Sequence, residues 1–184
     1  LVEVTLEDGA RYQYRWDAQG LLNRITDPLG HSQHANYGPY GLLKSYTDAL
    51  GRTTRWHYNA QCQVTTVQNA QGDTYRYQHD TAGRITHETD FSGIATRYRY
   101  DVLNRLVAVE QADGSRLHYQ YDPRGHLTQR KVVESDGRSH LTHWAYDALG
   151  QLATATNTAA SIRLERDALG RVVAETVNGD TLRS

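Results

Sequence analysis

The sequence lacks several residue types on which other classes of protein depend. Its 184 residues include no Met, one Phe and three Pro, and Cys62 is the sole cysteine. A single cysteine excludes an intrachain disulfide and a cysteine-rich metal site. No apolar run reaches the ~20 residues that span a bilayer, and no charged-then-apolar leader opens the chain. We therefore expect a piece of a longer protein, without a signal peptide or a membrane span of its own.

The residues that are abundant favour β-sheet. The chain has 13 Tyr and 3 Trp, which fit a pleated and half-exposed surface. Few side chains lack a polar end, so a thick two-layered core is not expected. A charged fraction of 22% and a net charge of -1 argue against a disordered charged tail. The same balance predicts no nucleic-acid partner, because nucleic-acid binding normally needs a basic face or domain.

A repeat of 21 residues runs through the chain, marked by an aromatic residue followed by Asp. Six copies lie 21 residues apart, and two more follow at spacings of 25 and 20. Repetition at a fixed period is typical of an array of similar supersecondary units. The eight marker pairs are Trp16-Asp17, Tyr37-Gly38, Tyr58-Asn59, His79-Asp80, Tyr100-Asp101, Tyr121-Asp122, Tyr146-Asp147 and Arg166-Asp167.

A second turn is interleaved at the same period. Glycines at 9, 30, 51, 72, 93 and 114 are each 21 residues apart. In both turns an Asp or Asn can accept the backbone N–H two residues on, and a Gly at the fourth position tolerates a left-handed conformation. The predicted structural turn residues are Asp17, Gly20, Asp27, Gly30, Asp48, Gly51, Asp80, Gly83, Asp90, Gly93, Asp122, Gly125, Asp147, Gly150, Asp167 and Gly170.

Between the turns, alternate positions differ in character. Residues one and three places before the marker Asp are mostly aromatic, and the residues between them are mostly polar or basic, so one face of each strand is aromatic. On the return strand, apolar sites three residues apart, such as Leu22 and Ile25, indicate either a bulge or burial on both faces. The predicted aromatic ladder is Tyr14, Trp16, Trp56, Tyr58, Tyr77, Tyr98, Tyr100, Tyr119, Tyr121, Trp144 and Tyr146.

Two turns per repeat leave about six or seven residues between them, a common strand length. Each repeat is therefore predicted to be a β-hairpin, and the chain an all-β strip of about 16 antiparallel strands. No helical apolar stripe lies between the turns. We expect the array to depend on contacts between neighbouring hairpins.

No residue pattern predicts catalysis, a cofactor or a metal. The aspartates recur along the strip instead of converging on one atom, which favours turn capping. His31 and His34, or His140 and His143, lie three apart, and on a strand such residues point to opposite faces. No Ser lies in a Gly-x-Ser-x-Gly elbow. The sequence thus predicts a non-enzymatic chain. It also predicts that Gly83→Val destabilises the fold, because the turn requires positive φ, and that His87→Ala or His126→Ala leaves the melting temperature nearly unchanged.

The repeat motif resembles the YD repeat of Rhs proteins. The clearest copies, residues 98–106 and 119–127, match Tyr-x-Tyr-Asp-x-x-Gly-x-Leu, and the resemblance extends from about residue 6 to residue 180. Local departures are Gly38, Cys62, Asn104 and Arg166. The resemblance implies a curved section of a hollow β-shell, a single RHS/YD-repeat region over residues 1–184. Asp27-Pro28-Leu29-Gly30 and Asp122-Pro123-Arg124-Gly125 match only the first part of the self-cleavage motif of such shells, and lie on the regular turn positions.

Two functions follow from this resemblance as expectations. In bacterial members the shell encloses a C-terminal toxin domain delivered by type VI secretion or within an insecticidal toxin complex, which implies a structural role and a bacterial, secreted or delivered location. Its partners would be the rest of the shell, the toxin and the secretion machinery. The alternative is an extracellular surface that binds a glycan or a protein, as in the adhesive teneurins, since rings stack on sugars.

Overall fold

A computed structural model describes residues 1–183, which form an all-β chain. It divides into two compact units, one spanning Leu1–Ile94 and the other beginning at Ala95, and each is described by itself. The predicted fold class is confirmed: in each unit, every strand pairs antiparallel with the next one along the chain.

The first unit contains nine strands and one turn of 3-10 helix. Its elements are β1 (Val2–Thr5), β2 (Arg11–Trp16), β3 (Leu22–Thr26), β4 (Ser32–Tyr37), the 3-10 turn Pro39–Gly41, β5 (Leu43–Thr47), β6 (Thr53–Tyr58), β7 (Val64–Gln68), β8 (Thr74–His79) and β9 (Ile85–Thr89). The 3-10 turn occupies the repeat in which Gly38 replaces the marker Asp, and there both Tyr40 and Gly41 have positive φ.

The second unit also contains nine strands. They are β10 (Ala95–Tyr100), β11 (Leu106–Gln111), β12 (Arg116–Tyr121), β13 (Leu127–Val133), β14 (Ser139–Tyr146), β15 (Leu152–Thr156), β16 (Ser161–Arg166), β17 (Val172–Val177) and β18 (Asp180–Arg183).

The total of eighteen strands corrects the expected number of about sixteen. Strands β2 to β17 are the sixteen that the eight repeats predict. The two additional strands, β1 and β18, lie outside the first and last marker pairs, so counting from the marker missed them. Both pair with the adjacent strand of their own unit.

A bulge follows every marker turn, which decides between the two interpretations of the three-residue apolar spacing. Trp16 pairs with Leu22, whereas the preceding Arg15 pairs with Arg24, so Asn23 has no opposite residue. The same slip of one residue occurs in all eight hairpins of this type. The bulge places Leu22 and Ile25 on one face, since Ile25 pairs with the aromatic residue Tyr14.

Neither unit has a conventional core. Among residues 1–183 only Ala108 and Ala174 are buried, and most side chains of the aromatic face are half-buried. In a single sheet layer, each side chain is shielded from solvent only by the side chains next to it on the same face. Stability therefore comes from many small cross-strand contacts, of roughly 0.2–1 kcal/mol each, and from the turns that align the strands.

Candidate functional site: the aromatic face and its turns

The marker turns are closed by one carboxylate that accepts several backbone bonds. Asp80 Oδ1 accepts the amides of Ala82 at 2.9 Å and Arg84 at 3.0 Å. Its own backbone N–H donates to the Arg84 carbonyl at 3.0 Å, and its carbonyl accepts the Gly83 amide at 3.0 Å. One residue thus fixes both ends of a five-residue turn.

The structure places the other predicted turn residues in equivalent positions. In addition to Asp80, the carboxylates of Asp17, Asp27, Asp48, Asp90, Asp122, Asp147 and Asp167 accept the amide four residues on. The predicted glycines, Gly20, Gly30, Gly51, Gly83, Gly93, Gly125, Gly150 and Gly170, have φ between 78° and 93°. At that φ a Cβ is strained.

The residue four positions after the turn Asp is a part of the turn that the sequence prediction missed. Arg105 Nε lies 2.7 Å from Asp101 Oδ2, and Arg52 and Arg171 make the same contact with Asp48 and Asp167 at 2.7 and 2.8 Å. The signal was available in the sequence as Asp-x-x-Gly followed by Arg or His. The known chemistry of such turns ends at the glycine, so it does not point to the residue that follows.

These contacts favour the ionised form of the carboxylates of Asp80, Asp101 and Asp122. The pKa of Asp80 is lowered first by the Arg84 side chain, and that of Asp122 first by the His126 side chain. The pKa of Asp101 is lowered mainly by the Arg105 amide. Hydrogen bonds to the charged form are the shared cause.

All predicted ladder residues lie on one face of their strands. Cross-strand partners share a face, and the partners of Tyr14, Trp56 and Tyr98 are Ile25, Val67 and Val109. Trp16 is 40% exposed, and the other predicted members are half-buried: Tyr14, Trp56, Tyr58, Tyr77, Tyr98, Tyr100, Tyr119, Tyr121, Trp144 and Tyr146.

The marker tyrosine binds the hairpin that precedes it. The Tyr58 hydroxyl donates to the Leu43 carbonyl at 2.8 Å, and Tyr121 donates in the same way to Leu106 at 2.8 Å. Tyr37 and Tyr146 make the equivalent bonds to Leu22 and Leu127 at 2.9 and 3.0 Å.

The bulge explains why this bond is needed. Strands β5 and β6 pair only as far as Ser45 and Arg55, so the Leu43 carbonyl lies beyond the last backbone pair. Backbone acceptors away from water need a donor, and the Tyr58 hydroxyl supplies it. Each of these four tyrosines therefore supplies a donor to a carbonyl that the preceding hairpin leaves unpaired.

The last repeat shows that a different side chain can make this bond. Arg166 replaces the tyrosine, and its guanidinium donates to the Leu152 carbonyl. At the fourth marker pair the replacement is His79. In the described part of the chain His79 makes no hydrogen bond to the corresponding residue, Val64.

Turn side chains and marker rings also contact each other. The Arg105 guanidinium lies 4.8 Å from the centre of the Tyr121 ring, and Arg105 donates to the Asp122 carbonyl at 3.0 Å. The His126 ring stacks on Tyr146 at 4.6 Å and holds Asp122 at 2.8 Å. These two turns are thereby linked to the marker residue of the next hairpin. The contacts of His126 favour a larger effect of His126→Ala on melting than the sequence pattern alone predicts.

The potential metal-ligating side chains of the described residues are dispersed. Across residues 1–183 no three His, Cys, Asp or Glu side chains are grouped closely enough to bind a metal ion. His31 contacts Asp27 in its own turn and His140 contacts Glu134. No helix in the same range is long and apolar enough to cross a membrane.

Comparison with known proteins agrees with this geometry. The family model of the teneurin YD-shell matches residues 42–183, and that of the RHS Repeat matches residues 1–32. A search of curated proteins finds no match.

Among solved structures, the crystal structure of TcdB2-TccC3-Cdc42 aligns with 97% of this chain at 19% identity and a TM-score of 0.59. The Photorhabdus luminescens Tc holotoxin pore and TcdB2-TccC3 align with 92% and 97% of it at 14% and 12% identity, with TM-scores of 0.39 and 0.43. The alignments cover 10%, 13% and 15% of those chains, so this sequence spans a small part of their length.

Bulged antiparallel hairpins that repeat at a nearly constant interval, most of them with an aromatic-Asp marker turn, define a β-repeat protein of the YD type. The teneurin YD-shell model matches well over half of the residues. The chain belongs to the teneurin YD-shell family.

Proposed function

We propose that this chain is a non-catalytic wall segment of an Rhs-family shell that encloses a C-terminal toxin domain until delivery. The observation that supports this role is the single-layer sheet, in which only Ala108 and Ala174 of the described residues are buried. One layer encloses the largest volume for a given number of residues, whereas a protein that acts alone normally buries its apolar face against a second layer.

The proposal extends to partners and location. The partners are the remaining shell repeats and the enclosed toxin domain, with secretion machinery as a further partner, and the parent protein is bacterial and is secreted or delivered from the cytoplasm. The toxin-complex structures that share the fold support this assignment. No step of chemistry is assigned to the chain itself.

Glycan binding by the aromatic face is less well supported. Sugar stacking needs an open ring and a free hydroxyl, whereas the Tyr58 and Tyr121 rings are half-buried and their hydroxyls bond to backbone carbonyls. Trp16 is the most open member of the ladder. A sugar that binds the chain should therefore quench Trp16, and Trp16→Ala should abolish that binding.

Limited proteolysis of the full-length parent protein tests the enclosing role. The region C-terminal to the shell should resist a protease that digests the same region expressed alone. Replacing Tyr58 and Tyr121 by Phe should weaken the contacts between hairpins and so increase the cleavage of the region C-terminal to the shell. Equal cleavage rates for the free and the connected region would rule out enclosure.

A further inference from the structure

The face opposite the aromatic ladder in the first unit is basic, although the whole chain has a net charge of -1. On β1, Glu3 lies on this face opposite Gln13, and from β2 to β9 its paired positions include no Asp or Glu. We call the surface from β2 to β9 the basic face, and its arginines are Arg15, Arg24, Arg55 and Arg76.

Like charges are placed directly opposite each other on this face. Arg15 on β2 pairs with Arg24 on β3. Opposed like charges destabilise a sheet, so packing does not explain their presence. A locally unfavourable arrangement of this kind is typical of a binding surface.

The arginines of the basic face differ from those of the turns in having no acidic partner. Among residues 1–183, Arg15, Arg24 and Arg55 form no ion pair, and all three side chains are exposed. Arg52, by contrast, is held at 2.7 Å by Asp48 in its turn. The turn arginines are thus paired with carboxylates, whereas Arg15, Arg24 and Arg55 have no acidic partner within residues 1–183 and Arg24 donates only to the Ser32 hydroxyl. Their charge is available to an external anion.

The character of the face favours carboxylates over nucleic acid. Proteins that bind single strands combine basic residues with aromatic platforms on which bases stack. In the first unit the strand Tyr and Trp residues lie on the opposite face. The basic face instead interleaves Arg with Thr, Ser and Gln, which offer ion pairs and hydrogen bonds to an extended acidic peptide.

We propose that the basic face of the first unit is a docking surface for a carboxylate-rich polypeptide segment of a partner protein. Arginine forks bind carboxylates through two parallel hydrogen bonds. The adjacent strands β2 and β3 present two such forks about 4.8 Å apart, and β6 and β8 present Arg55 and Arg76 further along the sheet. The docking surface does not depend on the enclosing role, since either side of a wall can meet a partner.

Binding of poly-L-glutamate to the 184-residue chain tests the proposal. The test variant is Arg15→Gln, Arg24→Gln and Arg55→Gln together. The matched control is Arg52→Gln, Arg138→Gln and Arg171→Gln, which removes the same charge from exposed turn positions. We expect about tenfold weaker binding for the test variant, from three lost surface pairs, and less than about a twofold change for the control.

Two further measurements complete the test. Raising NaCl from about 0.05 to about 0.5 M should weaken binding of the unsubstituted chain. The test variant should melt at or above the temperature of the original chain because it relieves opposed charges. The proposal is overturned by the absence of poly-L-glutamate binding, by equal losses in the two variants, or by tighter binding of an oligothymidylate at the same salt concentration. If the test variant fails to fold, Arg55→Gln alone must still weaken binding more than Arg52→Gln.

Discussion

At the scale of single residues, the fourth position of each turn is the most constrained site in the repeat. The backbone there has positive φ, which glycine adopts without strain. Cys62, at φ 61°, and Asn104, at φ 64°, occupy this position in two repeats. Asn tolerates the left-handed region better than Cys, because its side chain can bond locally.

We predict that Cys62→Gly stabilises the chain by about 0.5–1 kcal/mol. The substitution removes the cost of a left-handed conformation for a residue with a Cβ, and the larger backbone entropy that glycine loses on folding offsets part of this gain. Chemical denaturation followed by circular dichroism measures the change. Asn104→Gly is the control and should gain less, since Asn is already tolerated. An equal gain for both would show that left-handed strain is not the cause.

The histidine after a marker turn provides a second residue-scale prediction. His126 holds Asp122 and stacks on Tyr146, whereas His31 holds Asp27 at 2.9 Å in an exposed turn. We predict that His126→Ala lowers the free energy of unfolding by about 1 kcal/mol, mainly through the lost ring contact, and that His31→Ala costs less than about 0.5 kcal/mol. Matching losses in urea titrations would mean that the ring stack contributes nothing.

At the scale of the hairpin, the marker hydroxyl and the bulge form one device. Because of the bulge, β5 pairs with β6 over fewer residues, and the Leu43 carbonyl has no backbone partner on β6. The hydroxyl of Tyr58, the marker tyrosine of β6, donates to that carbonyl. The device is maintained in repeats of other lengths. In the long repeat the bond joins residues 19 apart instead of 15, and in the short repeat 14 apart. The long repeat carries its added residues in β13 and β14, which have 7 and 8 residues, and it keeps the five-residue turn at 134–138. The short repeat lacks one residue in the turn between β15 and β16, where the Asn157 amide donates to the Ala160 carbonyl.

The repeat that lacks this bond can be repaired. His79 occupies the marker position beside a cleft of about 440 Å³ that it lines with Asn59 and Gln63. We predict that His79→Tyr stabilises the chain by about 0.5–1.5 kcal/mol, the net value of one hydrogen bond. The reciprocal change, Tyr58→Phe, should destabilise by a similar amount in the same assay. A gain from His79→Phe as large as that from His79→Tyr would assign the effect to the ring alone.

Much of the hairpin architecture could be predicted from the sequence, for a physical reason. Glycine with positive φ and Asp as an amide acceptor are local requirements, so they recur at a fixed interval. The position of the bulge, and the hydroxyl bond from Tyr58 to Leu43, depend on register between strands. Register is a tertiary property, and the spacing of Leu22 and Ile25 alone left two interpretations open. The terminal strands β1 and β18 lack the marker and were missed for that reason.

At the scale of the whole chain, the repeated turns should make stability depend on pH at both extremes. The pKa values of Asp48, Asp80 and Asp101 are lowered in the folded chain. Their contribution is present above the unfolded pKa of about 4 and is lost as the pH falls through the folded pKa. Burial and Glu88 raise the pKa of Tyr75 to about 12, so its contribution is lost as the pH rises from about 10 towards that value.

We therefore predict a plateau in the melting temperature between about pH 5 and about pH 9, with a fall on either side. Replacing Asp48, Asp80 and Asp101 by Asn should flatten the acid limb, because Asn59 and Asn69 already accept the same two amides in this chain. Melting curves recorded from pH 2 to pH 7 test this, and an unchanged acid limb in the triple variant would place the sensitivity elsewhere.

The hydrogen bond from a marker tyrosine to the preceding hairpin also limits which insertions and deletions the gene can accept. Recombination that copies or removes one whole period keeps the spacing between a marker tyrosine and the carbonyl that it binds, so the sheet gains or loses one hairpin without a change of register. A deletion that ends within a period leaves one donor and one acceptor without a partner, and it moves the side chains of a strand to the opposite face. Variation within a copy lies away from the marker turn: the long repeat extends β13 and β14, and the short repeat shortens the turn between β15 and β16.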